Sequence, residues 1–233
     1  MIKIKNHHVF LLLGQSNMMG QGALYPQDNL NKHIKIYCNK WRSAIEPIHC
    51  NNKNAGAGLA MSFAETCLNE GLARNIAFIP LAQAGSALDD WMPDAKHYTN
   101  IHKTLTQANV NKEDISGILW HHGESESKDL NRAPSYAQRF ITIIQALRQD
   151  FANETLPVIA GELGSFLDHR FPFSTTVNQQ LHLAAKQTNN LSIASSMLLL
   201  ANEDNIHFDH LSLKKLGRRY AKSYSLLVST NVA

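Results

Sequence analysis

The stretch Val9-Phe10-Leu11-Leu12-Leu13-Gly14-Gln15-Ser16-Asn17-Met18-Met19-Gly20 decides the fold class of this chain. A short apolar run ends abruptly at a glycine, and a serine and a second glycine follow it. A run bounded in this way is typical of a strand that is buried on both faces of a parallel sheet. Ligands of open α/β sheets bind just beyond the carboxyl ends of such strands, so Ser16 has the position of a nucleophile. The alternative is plain turn chemistry, in which the serine caps the helix that follows.

The length and composition of the chain indicate a single α/β domain over residues 1–233, with 44% hydrophobic and 18% charged residues. The formal net charge of +3 is small for this size. It gives no argument for a nucleic-acid partner or an acidic membrane surface, and we expect neither. The composition does not indicate an oligomeric state.

The three cysteines, Cys38, Cys50 and Cys67, form no CxxC pair and have no zinc-ligand spacing. A sparse, odd set predicts reduced thiols and a reducing compartment, with a Cys38–Cys50 bridge as the alternative. The polar segment 1–8 is unlike a signal peptide, and no apolar run reaches the length of a membrane span. We therefore expect a cytoplasmic protein, or a secreted one if the sequence has been trimmed.

Apolar runs alternate with amphipathic segments along the chain, which predicts right-handed βαβ units around a parallel sheet with helices on both faces. Five strands are predicted over 9–13, 75–81, 115–120, 157–161 and 191–195, with 34–37 as a further short candidate. Helices are predicted over 58–70, 97–109, 134–151, 175–187 and 211–227. The irregular segment 38–56 is long for a plain connection and predicts a substrate-facing loop.

Small or polar residues follow three of the predicted strands, at Ser16, at Gly85, and at His122 with Glu124. Backbone N–H groups at the Ser16 and Gly85 turns are candidates to stabilise an oxyanion, because glycine lets a carbonyl group approach closely.

Near the C-terminus, Asp204 and His207 are three residues apart. A serine hydroxyl becomes a nucleophile when a histidine takes its proton, and a carboxylate fixes the tautomer of that histidine. Asp204 and His207 meet this need locally. The alternative is that Asp204 caps the following helix and that His207 is a loop histidine.

Four blocks of sequence, in order and spread over nearly the whole chain, resemble the SGNH hydrolase superfamily. The resemblance is to its branch of sialate O-acetylesterases and acetylxylan esterases. The blocks are Gly14-Gln15-Ser16-Asn17-Met18, Ala84-Gly85-Ser86 with Trp91, the segment Trp120-His121-His122-Gly123-Glu124-Ser125-Glu126, and Asp204-x-x-His207-Phe208 with Gly217-Arg218-Arg219-Tyr220-Ala221.

The resemblance implies a three-layer αβα sandwich with a flavodoxin-like, five-stranded parallel sheet. It also implies a carbohydrate O-acetylesterase without a cofactor. Ser16 would be the nucleophile, His207 the general base and Asp204 its orienting acid, with the oxyanion held by Ser16 and Gly85. The branch usually has glutamine where this chain has His122, so His122 is a third oxyanion candidate, with structural packing as the alternative.

Glu124 is a candidate supporting acid that could replace or supplement Asp204, and the alternative is a buried structural acid near the nucleophile. Gln15, Trp91 and Trp120 are the candidate substrate-binding residues, although tryptophans after strands also serve as core packing. The loops at 21–56 and 163–175 are expected to select among acetylated xylo-oligosaccharides, sialic acid and similar substrates.

The sequence is compatible with two other functions. A metal-dependent hydrolase could use His121, His122, His207 and His210, although adjacent histidines on a strand point to opposite faces and no zinc signature is present. A non-catalytic carbohydrate-binding descendant of the same fold is suggested by the missing glutamine.

Overall fold

A central sheet of seven strands organises the computed structural model, which describes residue 4, residues 6–25 and residues 31–229. The strands are β1 His8–Gly14, β2 Ile34–Tyr37, β3 Trp41–Ser43, β4 Ile76–Pro80, β5 Ile115–His121, β6 Val158–Gly161 and β7 Leu191–Ala194. Their order across the sheet is β3-β2-β4-β1-β5-β6-β7. Strands β2 and β3 pair antiparallel, and every other neighbouring pair is parallel.

Helices lie between most of these strands in the chain, and the last helix follows β7. They are α1 Ser16–Met19, α2 Ala60–Asn69, α3 Lys96–Ala108, α4 Tyr136–Asp150, α5 Ser174–Gln187 and α6 His210–Ser229. Short 3₁₀ turns lie at Leu88–Trp91, Lys112–Asp114, Glu126–Lys128 and Ala133–Ser135. Within the described part of the chain, no helix is long and apolar enough to cross a membrane.

Strand β1 lies at the centre of the sheet and contributes side chains to a core on each of its faces. Val9, Leu11 and Leu13 face one core, while Phe10 and Leu12 face the other, because successive side chains of a strand alternate. All five are almost completely buried. The apolar run of β1 therefore has no polar face, as expected for a central strand of a parallel sheet.

The helices form two layers, one on each face of the sheet. Helices α3, α4 and α5 pack on the core that contains Leu11, and helices α2 and α6 pack on the core that contains Phe10. The prediction of three layers around a parallel sheet is thereby confirmed. The bounds of the five predicted helices differ from the observed ones by at most two residues, and the short helix α1 was not predicted.

The predicted number of strands is wrong: the sheet has seven strands rather than five. Strand β2 is the short candidate at 34–37, and it extends the sheet beyond β4. Strand β3 covers only Trp41–Ser43 and lies inside the segment 38–56 that the sequence predicts to be irregular. A three-residue edge strand shows no detectable periodicity, and its partner β2 supplies its hydrogen bonds.

The expectation of reduced thiols is wrong for two of the three cysteines. Cys38 and Cys50 form a disulfide, whereas Cys67 is free and buried. Cys38 follows β2 directly and Cys50 follows β3 by a few residues, so the turn back through β3 brings the two side chains together. The alternative pairing is the one that the structure contains.

Candidate active site

Ser16 lies immediately beyond the carboxyl end of β1, as the first residue of the short helix α1. The chain turns sharply at Gly14, which has a φ of 121°. A side chain at Gly14 would overlap the backbone of His121, so only glycine fits there. The N–H of Gln15 then donates to the carbonyl of His121 at 2.9 Å, which ties the turn to the end of β5.

His207 contacts both Ser16 and Asp204. Its Nε2 lies 2.8 Å from Ser16 Oγ, and its Nδ1 lies 2.5 Å from Asp204 Oδ2. With a proton on Nδ1 donated to the carboxylate, the lone pair of Nε2 accepts the serine hydroxyl. This arrangement allows the histidine to take the serine proton during an attack on a carbonyl group.

The Asp204 carboxylate is also held by the backbone of its own loop. Its Oδ1 accepts N–H groups from Ile206 at 2.7 Å and from His207 at 2.9 Å. Partial burial alone would raise the pKa of Asp204, but these bonds and the His207 ring hold that pKa below its ordinary value. Asp204 is therefore anionic at neutral pH and stabilises a positive charge on His207.

Two backbone N–H groups beside Ser16 Oγ are free to bind an oxyanion. Among the described residues, the N–H groups of Ser16 and Gly85 have no hydrogen-bond acceptor. Gly85 has a φ of 72° and lies in the cleft wall. The side-chain amide of Gln15 lines the same cleft. Its Oε1 accepts the N–H of Gly123 at 3.3 Å, while its Nε2 donates to no protein group in the described ranges.

The cleft over Ser16 has a volume of about 340 Å³. It is lined by Gln15, Ser16, Met19, Gln21, Asn54, Ala84, Gly85, Glu124, Ser125, Lys128, Phe171, Ile206 and His207. A larger cavity of about 1310 Å³ lies at the amino ends of the strands, around His8 and Asp114, and contains none of the candidate catalytic residues. The chemistry of the smaller cleft, not its size, marks it as the candidate site.

The structure contradicts the prediction that His122 donates to an oxyanion. The imidazole is completely buried, and its Nε2 lies 3.0 Å from the carbonyl oxygen of Ser86. Burial lowers the pKa of His122 to about 4, so the ring is neutral and its Nε2–H donates to Ser86. The donor therefore points into the protein, and His122 holds the turn that carries Gly85.

The prediction that Trp91 and Trp120 bind substrate is also wrong, because neither side chain lines the cleft. Each tryptophan is 1% exposed, and their rings contact one another edge to face at 5.5 Å. Trp91 Nε1 donates to Ser86 Oγ at 2.9 Å, and Trp120 Nε1 donates to Tyr136 Oη at 3.0 Å. Both rings fill the core behind the cleft, which was the alternative.

Glu124 lies in the cleft wall, but its side chain contacts Asn17 and His121 and not His207 within the described residues. The side chain is 2% exposed, and its Oε1 accepts Asn17 Nδ2 at 2.5 Å. Asp204 is the carboxylate that contacts His207. The geometry thus matches the interpretation of Glu124 as a buried acid beside the nucleophile.

The four histidines of the metal-site alternative do not come together. His121 contacts Tyr220, His122 contacts Ser86, and His207 contacts Ser16. The ring of His210 packs against Tyr25 with 4.6 Å between ring centroids. In the described ranges, no three histidine, cysteine, aspartate or glutamate side chains form a group that could hold a metal ion.

Residues 6–226 match the family model described as carbohydrate esterase, sialic acid-specific acetylesterase. The chain belongs to this family. The protein is accordingly an esterase, and its substrate class is acetylated carbohydrate.

Known relatives of this carbohydrate esterase share its length and its fold. A probable carbohydrate esterase of Arabidopsis thaliana is 27% identical over 246 residues, which cover 95% of this chain and 91% of the plant protein. The solved structure of that Arabidopsis protein has a TM-score of 0.83 at 25% identity, over 94% of this chain and 97% of the other.

Two more distant solved structures share the fold. NanS has a TM-score of 0.72 at 15% identity, over 96% of this chain and 98% of its own. A carbohydrate acetylesterase from Xanthomonas citri has a TM-score of 0.66 at 16% identity, over 95% of this chain and 57% of its own.

Two buried side chains of this carbohydrate esterase were missed by sequence reasoning. Glu126 is completely buried and accepts the N–H of Leu88 at 2.8 Å and Arg139 Nη2 at 2.6 Å, so it fixes the segment after Gly85. Asn17 bonds to Glu124 and to the loop of His207. Both residues lie inside the sequence blocks that carry the family resemblance, and this position is the feature that could have indicated a role for them.

Proposed function

We propose that this protein is a serine esterase that removes O-acetyl groups from carbohydrates through an acetyl-serine intermediate. The observation that carries the proposal is the pair of contacts made by His207, to Ser16 Oγ at 2.8 Å and to Asp204 Oδ2 at 2.5 Å. Membership of the carbohydrate esterase family supports the same reaction class.

In the first step, Ser16 Oγ attacks the carbonyl carbon of the acetyl ester while His207 Nε2 takes the hydroxyl proton. The imidazolium that forms is stabilised by Asp204. The tetrahedral intermediate collapses when the bond to the sugar oxygen breaks, and His207 gives its proton to that oxygen. The products are the free sugar hydroxyl and acetyl-Ser16.

In the second step, water attacks the acetyl carbon while His207 Nε2 takes a proton from the water. The bond to Ser16 Oγ breaks, and His207 returns the proton to the serine. Acetate leaves, and the enzyme is restored with all protons accounted for.

The oxyanion would be held by three donors in this proposal: the N–H groups of Ser16 and Gly85 and the side-chain Nε2 of Gln15. The two backbone groups have no acceptor within the described residues, which suits them to bind a charge that develops only during the reaction. The buried bond from the Gly123 N–H to Gln15 Oε1 orients the amide, so that Nε2 is available as the third donor. This supports a role of Gln15 in binding the oxyanion as well as the substrate.

The cleft supports a small acetylated sugar as substrate. Its rim is polar at Gln21, Asn54, Ser125 and Lys128, and Phe171 supplies an apolar ring. Polar side chains that surround a single aromatic face suit sugars, which have hydroxyl groups and weakly apolar faces. The loops 21–56 and 163–175, which the sequence predicts to select the substrate, contribute Gln21, Asn54 and Phe171 to this rim. Acetylated xylo-oligosaccharides and O-acetyl sialic acid are the substrates that we propose to assay.

Labelling with a serine-directed phosphonate tests the proposed nucleophile without any choice of sugar. We expect one covalent adduct on Ser16, identified by peptide mass spectrometry, and no adduct in Ser16→Ala. An unlabelled parent protein would contradict the proposal and favour the non-catalytic carbohydrate-binding descendant.

A further inference from the structure

Asn17 connects the nucleophile turn to the loop that carries His207. It follows Ser16 directly and is 1% exposed. Its Oδ1 accepts the N–H of Phe208 at 3.1 Å, and its Nδ2 approaches the carbonyl of Ile206 at 3.4 Å. One side chain therefore contacts the backbone on both sides of His207, and the orientation of that amide controls where the imidazole stands relative to Ser16 Oγ.

The orientation of the Asn17 amide is fixed by Glu124. Glu124 Oε1 accepts Asn17 Nδ2 at 2.5 Å, and both side chains are buried. This bond defines Nδ2 as the end that faces Glu124, and so directs Oδ1 toward Phe208. Without the acceptor, the amide could rotate and the loop would lose its anchor.

Among the described residues, no lysine or arginine forms an ion pair with the Glu124 carboxyl. Its Oε2 is buried without a hydrogen bond in the described part of the chain, and the one ion-pair candidate for its Oε1 is His121 Nε2 at 3.9 Å. The bond from Asn17 Nδ2 is therefore the one hydrogen bond that the Glu124 carboxyl accepts from a described residue.

His121 is the buried histidine beside Glu124, and its ring contacts Tyr220. Tyr220 Oη donates its single proton to the carbonyl of Trp120 at 2.7 Å. His121 Nδ1 lies 3.1 Å from the same Oη. Burial lowers the pKa of His121, so its ring is neutral and adds no positive charge beside Glu124.

We propose that Glu124 is a positioning residue, which holds the His207 loop through its hydrogen bond to Asn17. This inference rests on the proposed function, because it concerns the same reaction. Glu124 then acts through the oxygen that accepts Asn17 Nδ2, which a glutamine would also supply, whereas Asp204 acts through its negative charge.

Substitutions that separate shape from charge test this inference in 4-nitrophenyl acetate hydrolysis. Glu124→Ala and Asn17→Ala should each lower kcat by about 10- to 100-fold with little change in KM, because the histidine is misplaced but the cleft is not. Glu124→Gln keeps an oxygen for Asn17 and should rescue kcat to within about threefold of the parent. The double variant should be no slower than the slower single variant, since both act through one contact.

Asp150→Asn is the matched control, because Asp150 also accepts a histidine, His102, at 2.9 Å but lies outside the cleft. It should keep the parental kcat. The inference is overturned if Glu124→Gln falls as far as Asp204→Asn, or if the losses in the two alanine variants multiply. If Glu124→Ala does not fold, Glu124→Gln and Asn17→Ala decide the matter.

A measurement that needs no turnover separates this inference from the proposed function. The His207 Nδ1 proton, bonded to Asp204, should give a low-field NMR resonance that Glu124→Gln preserves and Asn17→Ala shifts or abolishes. An unchanged resonance in Asn17→Ala would overturn the inference. If the parent is inactive and Ser16 unreactive, the proposed function fails, while the resonance still reports on the coupling.

Discussion

His122 Nε2 lies 3.0 Å from the carbonyl oxygen of Ser86, inside the protein and behind the turn that carries Gly85. A second bond from Trp91 Nε1 to Ser86 Oγ and a third from Leu88 N–H to Glu126 hold the same turn. In this chain a histidine therefore supports the proposed oxyanion site from the protein interior, and Gln15 is the side chain that lines the cleft.

We predict that His122→Phe, which fills the ring space without a donor, lowers the free energy of unfolding by about 1–3 kcal/mol because the Ser86 carbonyl loses its partner. The kcat should fall by about tenfold, less than the roughly 100- to 1000-fold typical of losing an oxyanion donor. Urea unfolding and steady-state kinetics check both values. A loss of more than about 100-fold at unchanged stability would instead indicate a direct oxyanion contact.

Asp204→Asn should lower kcat by about 100- to 10,000-fold, because the amide neither fixes the Nδ1–H tautomer of His207 nor stabilises its positive charge. Glu203→Gln is the matched control, since Glu203 is the adjacent exposed carboxylate and makes no contact with His207 in the described ranges. Equal losses in the two variants would contradict the role of Asp204.

The free energy of unfolding should decrease as the pH falls from about 6.5 toward about 4, in part because of His122. Burial lowers the pKa of His122 from 6.5 to about 4, so within this interval the unfolded chain binds a proton that the folded chain does not. Buried His49, with its pKa lowered to about 3, acts in the same direction, and Glu46, with its pKa raised to about 7, acts in the opposite one.

Urea unfolding of the parent and of His122→Phe across this interval isolates the His122 contribution. The stability difference between the two proteins should shrink as the pH falls. The unfolded parent binds a proton at His122 that the folded parent does not bind, and the phenylalanine variant has no such group. A difference that is constant with pH would contradict the assignment of His122 as a buried neutral imidazole.

Removal of the Cys38–Cys50 disulfide should lower the free energy of unfolding by about 3 kcal/mol, the value expected for a short closed loop. The two cysteines are separated by 12 positions in the sequence. The comparison is between the parent and a Cys38→Ser, Cys50→Ser double variant under non-reducing conditions. Equal stability, or two free thiols by titration of the parent, would contradict the pairing.

Much of the architecture follows from the sequence alone, because β1, β4 and β5 are apolar runs that end in turn residues. The alternation of Phe10 and Leu11 between two cores explains why such a run requires helices on both faces. Strand β3 could not be predicted, because three half-buried edge residues have no pattern of their own. The Cys38–Cys50 disulfide depends on the turn through that strand, so the sequence could offer this pairing only as an alternative.

The site was predictable where the chemistry is local and was not where it depends on packing. Asp204 and His207 meet within one loop, and their spacing already indicates it. The orientation of His122 depends on a carbonyl at Ser86, 36 positions away in the chain, and no spacing encodes that contact. The single-domain organisation and the cytoplasmic location stay predictions.

The most direct test of the central claim is the rate of 4-nitrophenyl acetate hydrolysis by the parent and by Ser16→Ala, each with and without EDTA. We predict a loss of at least about 100-fold in Ser16→Ala and no effect of EDTA on the parent. A Ser16→Ala protein that keeps the parental rate would contradict the acetyl-serine mechanism, and sensitivity of that rate to EDTA would point to a metal-dependent hydrolase.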